Sequence, residues 1–175
     1  AFKATTSNIT IIGNGRTVTF QNNSGTPGRL FNVVGGNLQI NSLNFEILPG
    51  NTPLIDDGGF MLASGSTAGL TMVNINGFGA NNSGGAIFSQ NANLSIIKSK
   101  LEHNTSFGNA YTTGGGGIYF SGGSLNVIDS TFDNNHAVYQ GGAVFTSGDF
   151  STLSVDRSKF MFNTSDYGSA INAGL

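Results

Sequence analysis

LSIIKSKLEHN (94–104), LNVIDSTFDNN (125–135) and LSVDRSKFMFN (153–163) align with one another without gaps. Leu matches Leu, a β-branched residue matches a β-branched residue, Ser matches Ser and the final Asn matches Asn. Apolar and polar residues alternate with a period of two, which is the pattern of a half-buried β-strand. Repeat units of 26 to 31 residues cannot bury an apolar face alone and must stack on one another. The three stretches therefore predict an all-β chain of stacked parallel coils.

A glycine pair opens a further apolar segment in each repeat. The pairs begin at Gly84, Gly115 and Gly141, at spacings of 31 and 26 residues, and a degenerate copy begins 27 residues later at Gly168. The full copies comprise Gly84, Gly85, Ala86 and Ile87; Gly115, Gly116, Gly117 and Ile118; and Gly141, Gly142, Ala143 and Val144.

A second motif places Asn three residues after Phe or Leu. Its copies are Phe20 with Asn23, Phe78 with Asn81, Leu101 with Asn104, Phe132 with Asn135, and Phe160 with Asn163. Together the motifs predict a β-solenoid, or parallel β-helix, with about three short strands per rung and roughly six rungs. We expect a right-handed coil from the chirality preference of parallel crossovers.

The repeats predict one domain over residues 1–175, with irregular rungs over about 1–77 and regular rungs over about 78–175. Leu30–Val33 and Gly59–Leu62 are predicted to occupy the strand position of the glycine pairs, and Leu38 to Phe45 the middle position. Ile9 to Phe20 is predicted to form the first rung.

Composition excludes several classes of protein. Gly (27), Asn (22), Ser (19) and Thr (16) make up 84 of 175 residues, and only 9% of the chain is charged. Amphipathic helices lack the charged residues that their exposed faces need, while 14 Phe provide too much apolar surface for a disordered chain. A net charge of −2 without a basic cluster argues against nucleic acid as a partner. There is no Cys, which excludes disulfides and thiolate sites.

The two motifs have an architectural explanation. Asn tolerates left-handed backbone conformations, and its amide can bond to the amide one rung away. Paired glycines admit a positive φ or a close backbone approach where the coil bends. We therefore expect any role of these motifs in binding to be indirect, through the shape that they hold.

Charged residues form two candidate clusters. Lys98, Asp129 and Arg157 share one outward position, which predicts a surface ion ladder or, alternatively, a ligand clamp. Glu102 and Asp133 align on adjacent rungs, which is the arrangement of a retaining glycosidase pair or of two ordinary surface acids. The chain offers no clear metal or cofactor site, since Asp56-Asp57 is expected to form an acidic turn and His136 to lie on a loop.

Aromatic residues recur in the variable segments before the glycine starts. Tyr111, Tyr139 and Tyr167 precede three successive starts, and Phe107 lies in the longest of these segments. Exposed, they would form a strip of interface anchors; the alternative is that they pack on the edge of the coil. The irregular stretch 48–54 is a second candidate loop.

Repeated GGA(I/V/L) and FxxN motifs in short stacked units resemble the polymorphic membrane proteins of chlamydiae, a family of autotransporters. The matching residues are the glycine-pair copies and the FxxN pairs given above, with Leu101, Gly117 and Ser169 as departures. The resemblance covers Phe78 to Ile171 well and the N-terminal third loosely.

The resemblance implies a right-handed β-helical passenger on the bacterial cell surface, or released from it, that binds a protein receptor on host epithelial cells. It also implies that both motifs take part in adhesion and that the only link to a membrane is a C-terminal β-barrel absent from this sequence. We expect no enzymatic activity and no cofactor. A passive spacer and, less favoured, a polysaccharide-active enzyme are the alternatives, and the solenoid ends are expected to allow self-association.

Overall fold

The computed structural model describes residues 2–5, 7–20, 28–48 and 56–174, with the backbone alone described for residues 2–5, 149 and 150. These residues contain strands and no helix, and hence no helical segment that could cross a membrane. In chain order the strands are β1 (Phe2–Thr5), β2 (Asn8–Phe20), β3 (Phe31–Val34), β4 (Asn37–Ile47), β5 (Met61–Ser64), β6 (Thr67–Asn76), β7 (Gly79–Ala80), β8 (Ile87–Ile97), β9 (Lys100–Glu102), β10 (Thr105–Ser106), β11 (Ile118–Ile128), β12 (Thr131–Asp133), β13 (His136–Ala137), β14 (Val144–Asp156), β15 (Lys159–Met161) and β16 (Ile171–Ala173).

Parallel pairing stacks equivalent segments of successive repeats into columns. The glycine-pair strands form one column from β1 through β3, β5, β8, β11 and β14 to β16. In the middle column Leu125 lies opposite Leu94 on one side and Leu153 on the other. The result is a parallel β-solenoid of about five turns, which confirms the predicted fold.

The irregular N-terminal rungs follow the same columns. Phe31 pairs with Met61 and Met61 with Ile87, while Leu38 pairs with Ala68. The assignments of residues 30–33, 59–62 and 38–45 are therefore confirmed. A small parallel sheet of two-residue strands, β7, β10 and β13, was not predicted. It includes His136, which lies on β13 and not on a loop.

The core fills the inside of the coil with apolar columns. Large side chains with no more than 1% exposure include Phe60, Phe78, Phe120 and Phe132. Phe31, Phe45, Phe60 and Phe78 contact one another edge-on or tilted, with ring centroids 4.9 to 5.7 Å apart. This continuous packing is the main stabilising contribution, because each coil buries its apolar face against the next.

Two of the bends use residues other than glycine in the left-handed conformation. The first column of bends holds Ser42, Met72, Lys98, Asp129 and Arg157, and the second holds His103, Asn134 and Phe162. Their φ values lie between 44° and 55°. An L-residue adopts this conformation at a cost of about 1–2 kcal/mol, which the surrounding ladders of hydrogen bonds must offset.

The Asn column forms a buried hydrogen-bonded ladder. Asn104 Nδ2 donates to Asn135 Oδ1 (2.9 Å), and Asn135 Nδ2 donates to Asn163 Oδ1 (3.0 Å). The backbone N–H groups of Asn104 and Asn135 donate to the same two oxygens. The predicted amide bonding between rungs is thus confirmed. The predicted left-handed backbone is wrong for these residues, because it belongs to the residue before each Asn.

A serine column parallels the asparagine ladder. The backbone N–H of Ser99 donates to Ser130 Oγ (3.1 Å), and that of Ser130 donates to Ser158 Oγ (3.0 Å). Each hydroxyl in turn donates to a carbonyl two residues earlier in its own coil. The serines therefore satisfy backbone groups at the bend where strand pairing is interrupted.

Two copies of the FxxN motif fall outside this register. Ile75, not Phe78, pairs with Leu101, and the Phe78 N–H donates to Asn104 Oδ1, so that Phe78 occupies the Asn column. Asn81 is consequently exposed. Val18 pairs with Phe45, whereas Phe20 pairs with Ile47, so the alignment of Phe20 is also wrong by two residues. Its partner Asn23 lies outside the described residues.

Glycine pairs are required by close backbone packing. At Gly115, which has a φ of 71°, a Cβ would lie 2.2 Å from the Ile118 carbonyl oxygen. At Gly116 a Cβ would lie 2.3 Å from the Gly142 carbonyl oxygen in the next coil. The first glycine thus permits the turn, and the second permits adjacent coils to approach.

Candidate functional site

The tyrosines before the glycine starts form a row along one edge of the solenoid, here called the tyrosine ladder (Tyr111, Tyr139 and Tyr167). Ring centroids are 4.9 Å apart between Tyr111 and Tyr139 and 5.0 Å apart between Tyr139 and Tyr167. The spacing is close to the distance between neighbouring strands, because equivalent loop residues of successive coils stack like the strands. Sequence separations of 28 residues are therefore converted into direct ring contacts.

The tyrosine ladder stays open to solvent. Tyr111 is 79% exposed and Tyr167 is 55% exposed, while the ring of Tyr139 between them is half-buried. The alternative that the tyrosines pack away on the coil edge is wrong for the outer two rings. Phe107, the other predicted loop residue, is also exposed, but it lies beside Gly79 and has no ring contact with the ladder among the described residues.

Amide side chains hold the tyrosine loops in place. Gln140 Nε2 donates to the Tyr111 carbonyl oxygen, and Asn172 Nδ2 donates to Gln140 Oε1 (2.9 Å). Gln140, Asn172 and the three rings line a shallow depression of about 160 Å³. Neither amide was identified from the sequence as part of this site. Asn172 in particular follows the glycine start at Gly168, whereas the loop that it supports precedes that start.

The ladder is electrically neutral. All five residues that line the depression are uncharged. Desolvation, followed by interactions with the phenols of Tyr111 and Tyr167, raises the pKa of Tyr139. The ladder therefore offers amphipathic rings and amides rather than charge at neutral pH.

Most of the described motif residues lie inside the coil, and Asn81 is an exposed exception. Ala86, Ile87, Phe132 and Asn135 are fully buried, as are the Gly84, Gly85, Gly115, Gly116, Gly117, Gly141 and Gly142 positions, with Ile118, Ala143 and Val144. Phe160 is partly buried and Asn163 is buried in the following coil. A partner cannot reach the buried side chains without opening the fold, which agrees with an architectural role for the motifs.

The ion ladder predicted at one bend is confirmed for two of its members. Arg157 Nε and Nη2 donate to Asp129 Oδ1 and Oδ2 at 2.8 and 3.2 Å, and Arg157 also contacts Asp156. This bidentate pair lowers the pKa of Asp129. Among the ion pairs of the described residues none includes Lys98, which faces Asp129 from the coil before.

Glu102 and Asp133 do not form a free carboxylate pair. Lys100 Nζ contacts Glu102 Oε2 and lies 3.6 Å from Asp133 Oδ2, and Asn74 Nδ2 donates to Glu102 Oε1 (2.9 Å). Burial opposes ionisation of Glu102, but the hydrogen bonds from Lys100 and Asn74 outweigh it and lower its pKa. A glycosidase general acid needs the opposite shift, so this geometry favours a structural ion cluster.

The acidic turn contains a partly buried carboxyl group, that of Asp57. Asp57 Oδ1 accepts a hydrogen bond from the Ser83 N–H (3.1 Å), and desolvation raises the pKa of Asp57 despite the nearby Arg29. Over the described part of the chain, no three His, Cys, Asp or Glu residues are grouped so as to hold a metal ion. The candidate loop 48–54 lies, apart from Leu48, outside the described residues.

Comparisons with family models, curated proteins and solved structures found no match to this chain.

Proposed function

We propose that this chain is an adhesive module that binds a protein receptor through the tyrosine ladder and acts by binding rather than by catalysis. The observation that carries the proposal is the contact between three tyrosine rings on one edge of the coil, of which the outer two, Tyr111 and Tyr167, are exposed. The sequence resemblance suggests the setting, which is the surface of a bacterium that attaches to host epithelial cells.

The composition of the ladder supports a protein partner. Tyrosine combines a large apolar ring with a hydroxyl and loses little conformational entropy on binding, and it is enriched among interface hot spots. Tyr139 is flanked by the other two rings, which restricts its movement before a partner arrives. Preorganisation of this kind lowers the entropic cost of association.

The interior motifs support the same proposal indirectly. The Asn and Ser ladders and the glycine pairs fix the register of successive coils, and that register brings the tyrosines together. Loss of a motif would then weaken adhesion by displacing the rings, with no motif residue touching the receptor.

The test measures attachment of protein-coated beads to cultured human epithelial cells. We expect Tyr111→Ala to reduce attachment with little change in melting temperature, because the ring is largely exposed. The triple variant of Tyr111, Tyr139 and Tyr167 to Ala should reduce attachment to the level of an unrelated β-solenoid. Phe162→Ala is the matched control, since Phe162 is 77% exposed but lies at a different bend.

The outcomes separate the proposal from its alternative. Equal attachment by the triple variant and the wild type would remove the tyrosine ladder from the binding site. No attachment by the folded wild type would favour a passive spacer.

A further inference from the structure

A polar groove follows the bend between the middle strand column and the column that contains β9, β12 and β15. Its lining includes Asn44, Met72, Asn74, Lys98, Asp129 and Thr131, which come from four successive coils, and its volume is about 350 Å³. This lysine groove is therefore elongated along the solenoid axis. Its size is at the lower end of the range for small-molecule sites.

Some of the charged residues in and beside the lysine groove form ion pairs, and Lys98 forms none with the described residues. Arg157 pairs with Asp129 through two hydrogen bonds, and Glu102 pairs with Lys100. Lys98 is exposed and belongs to none of the ion pairs that the described residues form. Lys98 attracts the Asp129 carboxylate through space without a close ion pair, so its ammonium group keeps room for a ligand carboxylate although the whole chain has a net charge of −2.

The remaining groups suit hydroxyls. Asn44, Asn74, Lys100 and Thr131 are successive outward residues of one column, in which Lys100 pairs with Glu102. Asn74 Nδ2 donates to Glu102, whereas Asn74 Oδ1 is buried and accepts no hydrogen bond from any residue that the structure describes. Because that oxygen is closed off from solvent, a ligand hydroxyl binds it only after the Asn74 side chain rotates towards the groove. Met72, which is 53% exposed, adds an apolar surface for the C–H face of a sugar ring.

We infer that the lysine groove binds an acidic oligosaccharide, with a ligand carboxylate on Lys98 and ligand hydroxyls on the Asn and Thr side chains. Equivalent polar groups recur along the groove at about one strand spacing, roughly 4.8 Å. A linear polymer that presents hydroxyls on every ring matches this arrangement. The site is distinct from the tyrosine ladder and does not depend on it.

Calorimetric titration with trigalacturonic acid tests this inference, with its methyl ester as the uncharged counterpart. We expect the acid to bind and the ester to bind at least about tenfold more weakly, because a hydrogen bond to a charged group is lost. Lys98→Ala should weaken binding of the acid to a similar extent, and Lys98→Arg should retain most of it. Lys159→Ala is the control for loss of a nearby positive charge, since Lys159 is an exposed lysine that lies opposite Thr131, one coil beyond the lining of the groove.

Each contrary result overturns the inference. These results are no binding of the acid by the folded wild type at millimolar concentration, equal binding of acid and ester, and unchanged binding by Lys98→Ala. A triglutamate peptide that bound as well as the sugar acid would assign the groove to acidic peptides instead. Melting temperatures of the variants, measured beside the titrations, show that each remains folded.

Discussion

Replacement of Asn135 by Leu tests the physical basis of the coil register. The Asn135 side chain is fully buried and makes four hydrogen bonds. Its Oδ1 accepts from the N–H and Nδ2 of Asn104, and its Nδ2 donates to the Leu101 carbonyl and to Asn163 Oδ1. Leu has a similar volume but can make none of these bonds.

The size of the stability loss follows from the buried groups that no longer have the Asn135 side chain as a hydrogen-bond partner. The Asn104 N–H and the Leu101 carbonyl each lose a buried hydrogen bond, and each such loss costs about 1–3 kcal/mol. New apolar contacts of the Leu side chain offset part of that cost. We therefore expect the free energy of unfolding to fall by about 3 kcal/mol.

Urea unfolding followed by circular dichroism measures this change. The control is Asn109→Leu, which makes the same substitution at an exposed loop position and should change stability by less than about 0.5 kcal/mol. If Asn135→Leu proved as stable as the control, the asparagine ladder would not fix the register. A change in the denaturant m-value would show instead that the extent of unfolding had changed.

Three further predictions concern single sites. Gly115→Ala should lower the stability measured by thermal unfolding by about 2 kcal/mol more than Gly35→Ala does. Both glycines have a positive φ, but only at Gly115 would a Cβ collide with backbone atoms. Equal losses in the two variants would contradict a role for this collision. Met72→Gly should stabilise the fold by about 0.5–1 kcal/mol by relieving a left-handed bend, and a lower melting temperature would refute that relief. Because the pKa of Glu102 is lower in the folded protein than its unfolded value of 4.5, ionised Glu102 stabilises the fold above that pH, and this stabilisation is lost as the pH falls through the folded pKa. The Glu102→Gln variant should therefore lose less stability than the wild type when the pH is lowered. Parallel plots of stability against pH for the two proteins would contradict this prediction.

The parallel coil was predictable because the same residue types recur at equivalent positions. Leu94, Leu125 and Leu153 align in the sequence and lie opposite one another in the sheet. Stacking requires the side chains of a column to be compatible in volume and polarity, so the repeat itself contains the register. The tyrosine ladder was predictable for the same reason, since each ring precedes a glycine start.

Other features left no clear signal in the sequence. Phe78 and Asn81 satisfy the FxxN pattern, yet the pairing of Ile75 with Leu101 and the hydrogen bond to Asn104 place Phe78 in the Asn column. The left-handed bends hold residues as different as Met72 and Phe162, because the backbone conformation is imposed by the ladders on either side. The absence of an ion pair at Lys98 among the described residues depends on which charged residues lie close together in the folded structure, and the sequence does not give these distances.

The most direct test of the proposed binding edge is hydroxyl-radical footprinting of the folded protein bound to epithelial cell membranes. It compares residues that are similarly exposed in the free protein and needs no substitution. We predict that Tyr111 and Tyr167 become protected on binding, while Phe162 stays reactive. Protection of Phe162 with unchanged reactivity of both tyrosines would contradict the tyrosine ladder as the adhesive surface.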